Sequence, residues 1–100
     1  MDKEFLNNLD LDNLTEEDMK LLNIIEWQGK IVKHFKGNFY LVLDTHVQHT
    51  ETNERMIYYK ALYGECKTYI RPAKMFIEKC TEEQYKQYNQ EYRFQPVELT

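Results

Sequence analysis

His34, His46 and His49 are the only three histidines in the chain, and all lie between positions 34 and 49. Three imidazoles can hold a zinc ion with water as the fourth ligand. However, His46 and His49 are three apart on an extended segment, so they point to opposite faces unless a bulge intervenes. No cysteine or further acid completes a known zinc spacing, so no metal or other cofactor is expected. His49 and Glu51 are two apart and share a face of an extended chain, as a base and its orienting carboxylate would. Tyr59, Tyr63 and Arg71 could then polarise a substrate or hold an anion, making a small enzyme or ligand pocket around His49, Glu51 and Arg71. Against catalysis, the chain has no G-x-S-x-G, no H-E-x-x-H and no glycine loop that would cradle a phosphate.

The same residues read better as a binding surface. Tyr59 and Tyr63 are four apart on one predicted strand, so they share a face with Ile57 and Ala61. Tyr40, Tyr58 and Tyr69 border them, and Lys33, Lys36, Lys60, Lys67 and Arg71 supply cations. Rings beside cations stack bases and steer phosphates, at about 1–3 kcal/mol per stacked base. The same surface can grip a peptide or protein loop. The plainer reading is that the tyrosines fill the core. On that reading Arg71 ties Glu51 or a strand-end carbonyl, His34 is a half-buried strand residue, and His49 bonds its own turn. The candidate binding residues are thus His34, Lys36, His49, Glu51, Tyr59, Tyr63 and Arg71.

These residues must be positioned by short strands. Ile31 to Phe35 is β-prone and ends at Lys36-Gly37-Asn38, a hairpin signal because glycine and asparagine accept positive φ. Phe39 to Val47 is a second strand, with Phe39, Leu41 and Leu43 on one face and Tyr40 and Val42 on the other. Apolar groups on both faces predict a strand covered on both sides. Gln48 to Glu54 is a turn with Asn53 at its tip, followed by a strand from Arg55 to Tyr63. Gly64-Glu65 turns the chain into a fourth strand, Lys67 to Arg71, which Pro72 ends. Met75-Phe76-Ile77 forms a fifth strand or a single helical turn.

Helices flank this region. Thr15-Glu16-Glu17-Asp18 predicts a capped helix start, with Met19, Leu22, Ile25 and, less regularly, Leu21 on its apolar face and Gly29 as its stop. Thr81-Glu82-Glu83-Gln84 predicts a second helix of about three turns, reaching to near Tyr92. Phe94 to Leu99 reads as an extended tail. Residues 1–28 form an acidic N-terminal segment, 29–80 the β domain and 81–100 a C-terminal helix and tail, all one globular unit. The fold expected is mainly β (α+β), an SH3-like antiparallel barrel of four or five short strands with flanking helices. An open antiparallel sheet packed on two helices is the alternative.

His34-Phe35-Lys36-Gly37, Tyr40 and Val42, His49-Thr50-Glu51-Thr52, Tyr59-Lys60-Ala61-Leu62-Tyr63-Gly64, Ile70-Arg71-Pro72 and Met75-Phe76 together resemble a small bacterial family. It is known as domain of unknown function 1653. The resemblance spans about residues 30–77. Tyr69 stands where that family has tryptophan and Lys60 where arginine is common. The Tyr40 to His49 spacing is one residue longer than in that family, which implies a bulge. The family carries no assigned activity, so the resemblance sharpens the site and adds no function.

The totals narrow the partners. Net charge is −4, but residues 1–28 carry −6, residues 29–80 carry +4 and residues 81–100 carry −2. A basic middle between acidic ends favours an anionic partner, unless those bases are simply spread over a solvated surface. The first partner class expected is single-stranded nucleic acid, RNA above all, and the second is a protein or peptide. No apolar run approaches the roughly 20 residues of a membrane helix. The start Met1-Asp2-Lys3-Glu4 lacks the basic flank and apolar core of a signal peptide. The expected compartment is therefore the cytoplasm, with Cys66 and Cys80 reduced.

Overall fold

The computed structural model describes residues 14–97. The acidic stretch 1–13, with Phe5, Leu6, Leu9 and Leu11, lies outside the described residues, as do residues 98–100.

Helix α1 (Glu16–Asn23) starts at a full capping box. The Thr15 hydroxyl accepts from the Asp18 amide at 3.1 Å, and the Asp18 carboxylate accepts from the Thr15 amide at 3.1 Å. A 3₁₀ turn, Ile24–Trp27, follows at once. This tightening changes the buried face. Leu21 and Ile24 enter the core and Trp27 packs against it, while Met19 is left 48% exposed. The expected Met19–Leu22–Ile25 face is therefore corrected. Spacing of three eclipses side chains in a 3₁₀ turn, which puts Leu21, Ile24 and Trp27 in line.

The β region holds strands β1 (Ile31–His34), β2 (Phe39–Gln48), β3 (Arg55–Ala61) and β4 (Thr68–Pro72). A one-turn helix α2 (Ala73–Phe76), helix α3 (Glu82–Tyr88) and a short strand β5 (Phe94–Pro96) complete the chain. The expected hairpins form. Gly37 sits at φ 107° and donates to the His34 carbonyl at 2.8 Å, and Asn53 at φ 59° donates to that of His49 at 2.8 Å. The helical reading of Met75-Phe76-Ile77 is the one found, and the fifth strand comes instead from the expected tail. Helix α3 ends at Tyr88, short of Tyr92, because Asn89 takes the left-handed conformation at φ 55°.

The strands form one antiparallel sheet in the order β4-β3-β2-β1-β5. The sheet is open, so the SH3-like barrel does not form: β4 and β5 are its edges and do not pair. It is nevertheless strongly curled. Four strand spacings would separate flat edges by roughly 19 Å. Yet the Arg71 guanidinium carbon on β4 lies 5.9 Å from the Phe94 ring on β5. The register shifts twice in β2, between Val42 and Asp44 and between Asp44 and Val47, and such bulges bend a strand. Polar groups hold the bend. The Asp44 carboxylate accepts from the His46 amide at 2.7 Å, and Arg55 Nη1 donates to the Thr45 carbonyl at 2.8 Å.

The core lies on the concave face. Val32, Val42, Ile57, Tyr59 and Phe94 of the sheet meet Leu21, Ile24, Ala73, Phe76 and Ile77. Phe76 and Phe94 stack with centroids 4.1 Å apart and planes 3° apart, so α2 stops the gap that pairing leaves unclosed. The buried Gln90 amide anchors the segment before β5, donating at 2.9 Å to the carbonyls of Lys33 and Tyr92. The convex face is not covered as expected of β2. Phe39, Tyr58 and Ile70 are 42%, 39% and 54% exposed.

Candidate functional site

Cross-strand partners share a face of a sheet. The pairs His34–Phe94, Tyr40–Ala61, Tyr59–Tyr69 and Ile57–Arg71 all lie on the concave face. Away from the β2–β3 hairpin this face reaches solvent at Tyr63 and Tyr69. There His34, Tyr40, Tyr59, Tyr63, Tyr69, Arg71 and Phe94 form a continuous aromatic mouth. Tyr40 stands edge-on to Tyr59 at 5.4 Å and to Tyr63 at 5.6 Å, and Tyr69 lies 5.7 Å from Tyr59. The hydroxyls of Tyr40 and Tyr63 are 2.9 Å apart, and Arg71 Nε donates to the Tyr59 hydroxyl at 3.2 Å. Tyr59 is buried, while Tyr63 and Tyr69 are each 42% exposed. The floor of the mouth is thus core, and its walls are ring faces open to solvent.

The electrostatics are one-sided. Burial, then the charges of Arg71, Lys36 and Arg93, lowers the His34 pKa to about 4. Every charge acting on the ring is positive. His34 Nδ1 accepts from the Lys36 amide at 3.2 Å, so the neutral ring carries its proton on Nε2. Burial and the Tyr63 hydroxyl raise the Tyr40 phenol well above its ordinary range, so the Tyr40 hydroxyl stays protonated. Arg93 pairs with Glu78 at 3.6 Å, but Arg71 forms no ion pair among the described residues.

Residues 30–96 match the family described as a protein of unknown function (DUF1653). The chain belongs to this family. The match runs past residue 77 and takes in α3 and β5, so the C-terminal helix lies inside the family region. No curated protein and no solved structure matches the chain.

Of the candidate residues, the fold brings together His34, Tyr59, Tyr63 and Arg71, with Lys36 exposed on the adjoining hairpin. It does not bring His49 and Glu51 to them. His49 follows Gln48, which pairs with Arg55, and Tyr59 is four residues further along β3, roughly 13 Å away. His49 Nδ1 accepts from the amides of Glu51 at 3.1 Å and Thr52 at 3.4 Å, which is turn chemistry. The expected tie from Arg71 to Glu51 is absent, because Arg71 turns inward to Tyr59 and Phe94. The enzyme pocket around His49, Glu51 and Arg71 is therefore not assembled. Among the described residues, no three His, Cys, Asp or Glu side chains converge on a metal-sized site.

Phe94 is the member of the mouth that the sequence reading missed. Its only signal is an aromatic two residues before Pro96, in a stretch read as a tail. A cleft of about 530 Å³ lies on the other side of Phe94, between α1 and β5, lined by Lys20, Trp27, Ile77, Tyr92, Phe94 and Pro96 among others. Its lining cation, Lys20, is already engaged, 3.3 Å from Glu16. The aromatic mouth is the better site because Arg71 is not.

The depressed His34 pKa has a consequence for stability. The folded state resists protonation that the unfolded state accepts at its ordinary value of about 6.5. The stabilisation is complete above pH 6.5 and falls as the pH drops toward 4. Allowing for solvent screening of a part-exposed ring, the loss is about 1 kcal/mol. Urea midpoints of wild type and His34→Gln at pH 7 and pH 4.5 test this. The variant is expected to lose less on acidification, and parallel losses would refute the assignment.

Proposed function

We propose that this protein is a non-catalytic binding module for single-stranded nucleic acid, RNA in the first place. The observation that supports this is the pair of solvent-open rings, Tyr63 and Tyr69, beside an arginine with no carboxylate partner among the described residues. Ring faces accept any base, and the cations Arg71 and Lys36 favour the phosphates. The same cations disfavour a positively charged ligand in this aromatic surround. The chemistry needs no metal or cofactor. The free thiols of Cys66 and Cys80 suit a cytoplasmic protein, and no described helix is long and apolar enough to cross a membrane.

Fluorescence polarisation against random single-stranded RNA and DNA at two salt concentrations tests the reading. Binding is expected at low salt, with affinity falling as salt rises, because bound phosphates release counterions. Binding that ignores salt, or no binding at low salt, sinks it. A protein or peptide partner is the second reading. It draws on the opposite, convex face, where Ile70, Phe39 and Tyr58 stand exposed. That reading requires no salt-dependent RNA binding, so the same assay separates the two.

A further inference from the structure

The anionic part of the ligand can be described more closely. Arg71 is half-buried, with its Nε committed to the Tyr59 hydroxyl at 3.2 Å and its plane carbon 5.9 Å from the Phe94 ring. The remaining guanidinium N–H groups on Nη1 and Nη2 meet no carboxylate among the described residues. A part-desolvated charge without a counter-ion is costly, and an arriving anion recovers that cost. His34 rests against the same Phe94 ring at 4.9 Å. With Nδ1 occupied by the Lys36 amide, its Nε2–H is a donor with no acceptor among the described residues. Two donors, one from β4 and one from β1, thus border the same Phe94 ring.

We infer that the mouth holds one phosphomonoester, taken by the Arg71 guanidinium and the His34 Nε2–H, with its attached base lying on Tyr63 or Tyr69. This rests on the nucleic-acid reading above and narrows it to a terminal nucleotide or a free nucleoside monophosphate. The reason for a monoester is depth. The hydroxyl that Arg71 bonds belongs to Tyr59, 4% exposed, whereas the two rings that would stack the base are 42% exposed. The phosphate therefore sits further in than the base. An internal diester would need room for a second nucleotide on the inner side of that phosphate, where Tyr59 is 4% exposed. A monoester also brings up to two negative charges to a site faced by Arg71 and Lys36. A carboxylate on an apolar side chain would use the arginine and leave the ring faces unused.

The test compares four probes: inorganic phosphate, adenosine 5′-monophosphate, a 5′-phosphorylated RNA tetranucleotide and its 5′-hydroxyl twin. Affinities come from calorimetry, and the His34 ring signals are followed by NMR across pH. The phosphorylated tetranucleotide is expected to bind at least about tenfold more tightly than its twin, in line with a charge-assisted bidentate contact. The bound phosphate should also move the His34 midpoint up from about 4. Arg71→Gln should abolish the preference for the 5′-phosphate, and Arg71→Lys, which keeps the charge and loses the fork, should reduce it. Thermal melting checks that each variant folds, and if Arg71→Gln does not, Arg71→Lys decides. Equal affinity for the twins, or an undiminished preference in Arg71→Lys, overturns the inference. If the monophosphate binds and shifts His34 but neither tetranucleotide binds, the phosphate site stands and the nucleic-acid reading falls. Stronger binding of the tetranucleotide than of the monophosphate identifies a strand end as the source.

Discussion

Phe94→Ala is expected to lower stability by about 3–5 kcal/mol, the range for removing a large buried aromatic. Phe94 is 2% exposed and stacks on Phe76 at 4.1 Å. It also meets His34 at 4.9 Å, Tyr40 at 5.8 Å and Tyr59 at 6.0 Å. Strand β5 has only three residues, so its ladder to β1 depends on this anchor. Because the sheet does not close by hydrogen bonds, the Phe76–Phe94 stack ties edge strand β5 to the helix α2 that follows the other edge, β4. A domain of this size has roughly 5–15 kcal/mol in all, so the loss should bring the variant close to unfolding. Urea denaturation of wild type, Phe94→Leu and Phe94→Ala measures it, with the leucine variant between the other two. A loss below about 1 kcal/mol for alanine would mean that β5 is not part of the core.

The second large effect falls on binding and should leave folding nearly intact. The double variant Tyr63→Ala/Tyr69→Ala is expected to weaken binding of single-stranded RNA by about 30-fold or more, taking about 1 kcal/mol as the lower bound per stacked base. Each ring is 42% exposed, so removing it opens little of the core. Truncation to alanine removes the Tyr40–Tyr63 hydroxyl pair at 2.9 Å and the Tyr59–Tyr69 packing at 5.7 Å. Tyr58→Ala is the matched control. Tyr58 is 39% exposed but pairs with Ile70 on the convex face. Its loss should leave RNA affinity unchanged. Equal effects from the double variant and the control would show that the concave face has no special role.

Much of the local structure was legible because its cause lies within a few residues. Thr15 with Asp18 and Thr81 with Gln84 form the capping boxes their spacing implies, since each is a reciprocal bond between residues three apart. Gly37 and Asn53 make two of the hairpin turns because positive φ is a property of the single residue. The extra residue between Tyr40 and His49 corresponds to a strand that shifts register twice. Alternation along β2 put Tyr40 and Val42 on one face, and that is the concave one. Family membership was legible too, because the resemblance consists of short motifs in a fixed order.

The site was legible only as a set of residue types. His49, Glu51 and Arg71 looked like partners because His49 and Glu51 share a face of an extended chain and an arginine beside them could hold an anion. The structure separates them, because His49 is held in its own turn by the Glu51 and Thr52 amides while Arg71, on β4 opposite Ile57, turns inward to Tyr59 and Phe94. The membership of Phe94 depends on a pairing with His34 across sixty positions, and no local preference encodes that. Likewise, nothing near Arg71 indicates that it reaches Phe94. That contact exists because bulges in β2 curl the sheet until its unpaired edges face each other. The sequence by itself determined the turns, the caps, the strand segments and an aromatic, basic middle, because these rest on bonds and periodicities within a turn or a strand. Only the tertiary structure decided that the sheet stays open, that Phe94 floors the mouth and that Arg71 and His34 share it. Those outcomes come from long-range pairing and curvature, which are set by the packing of the whole core.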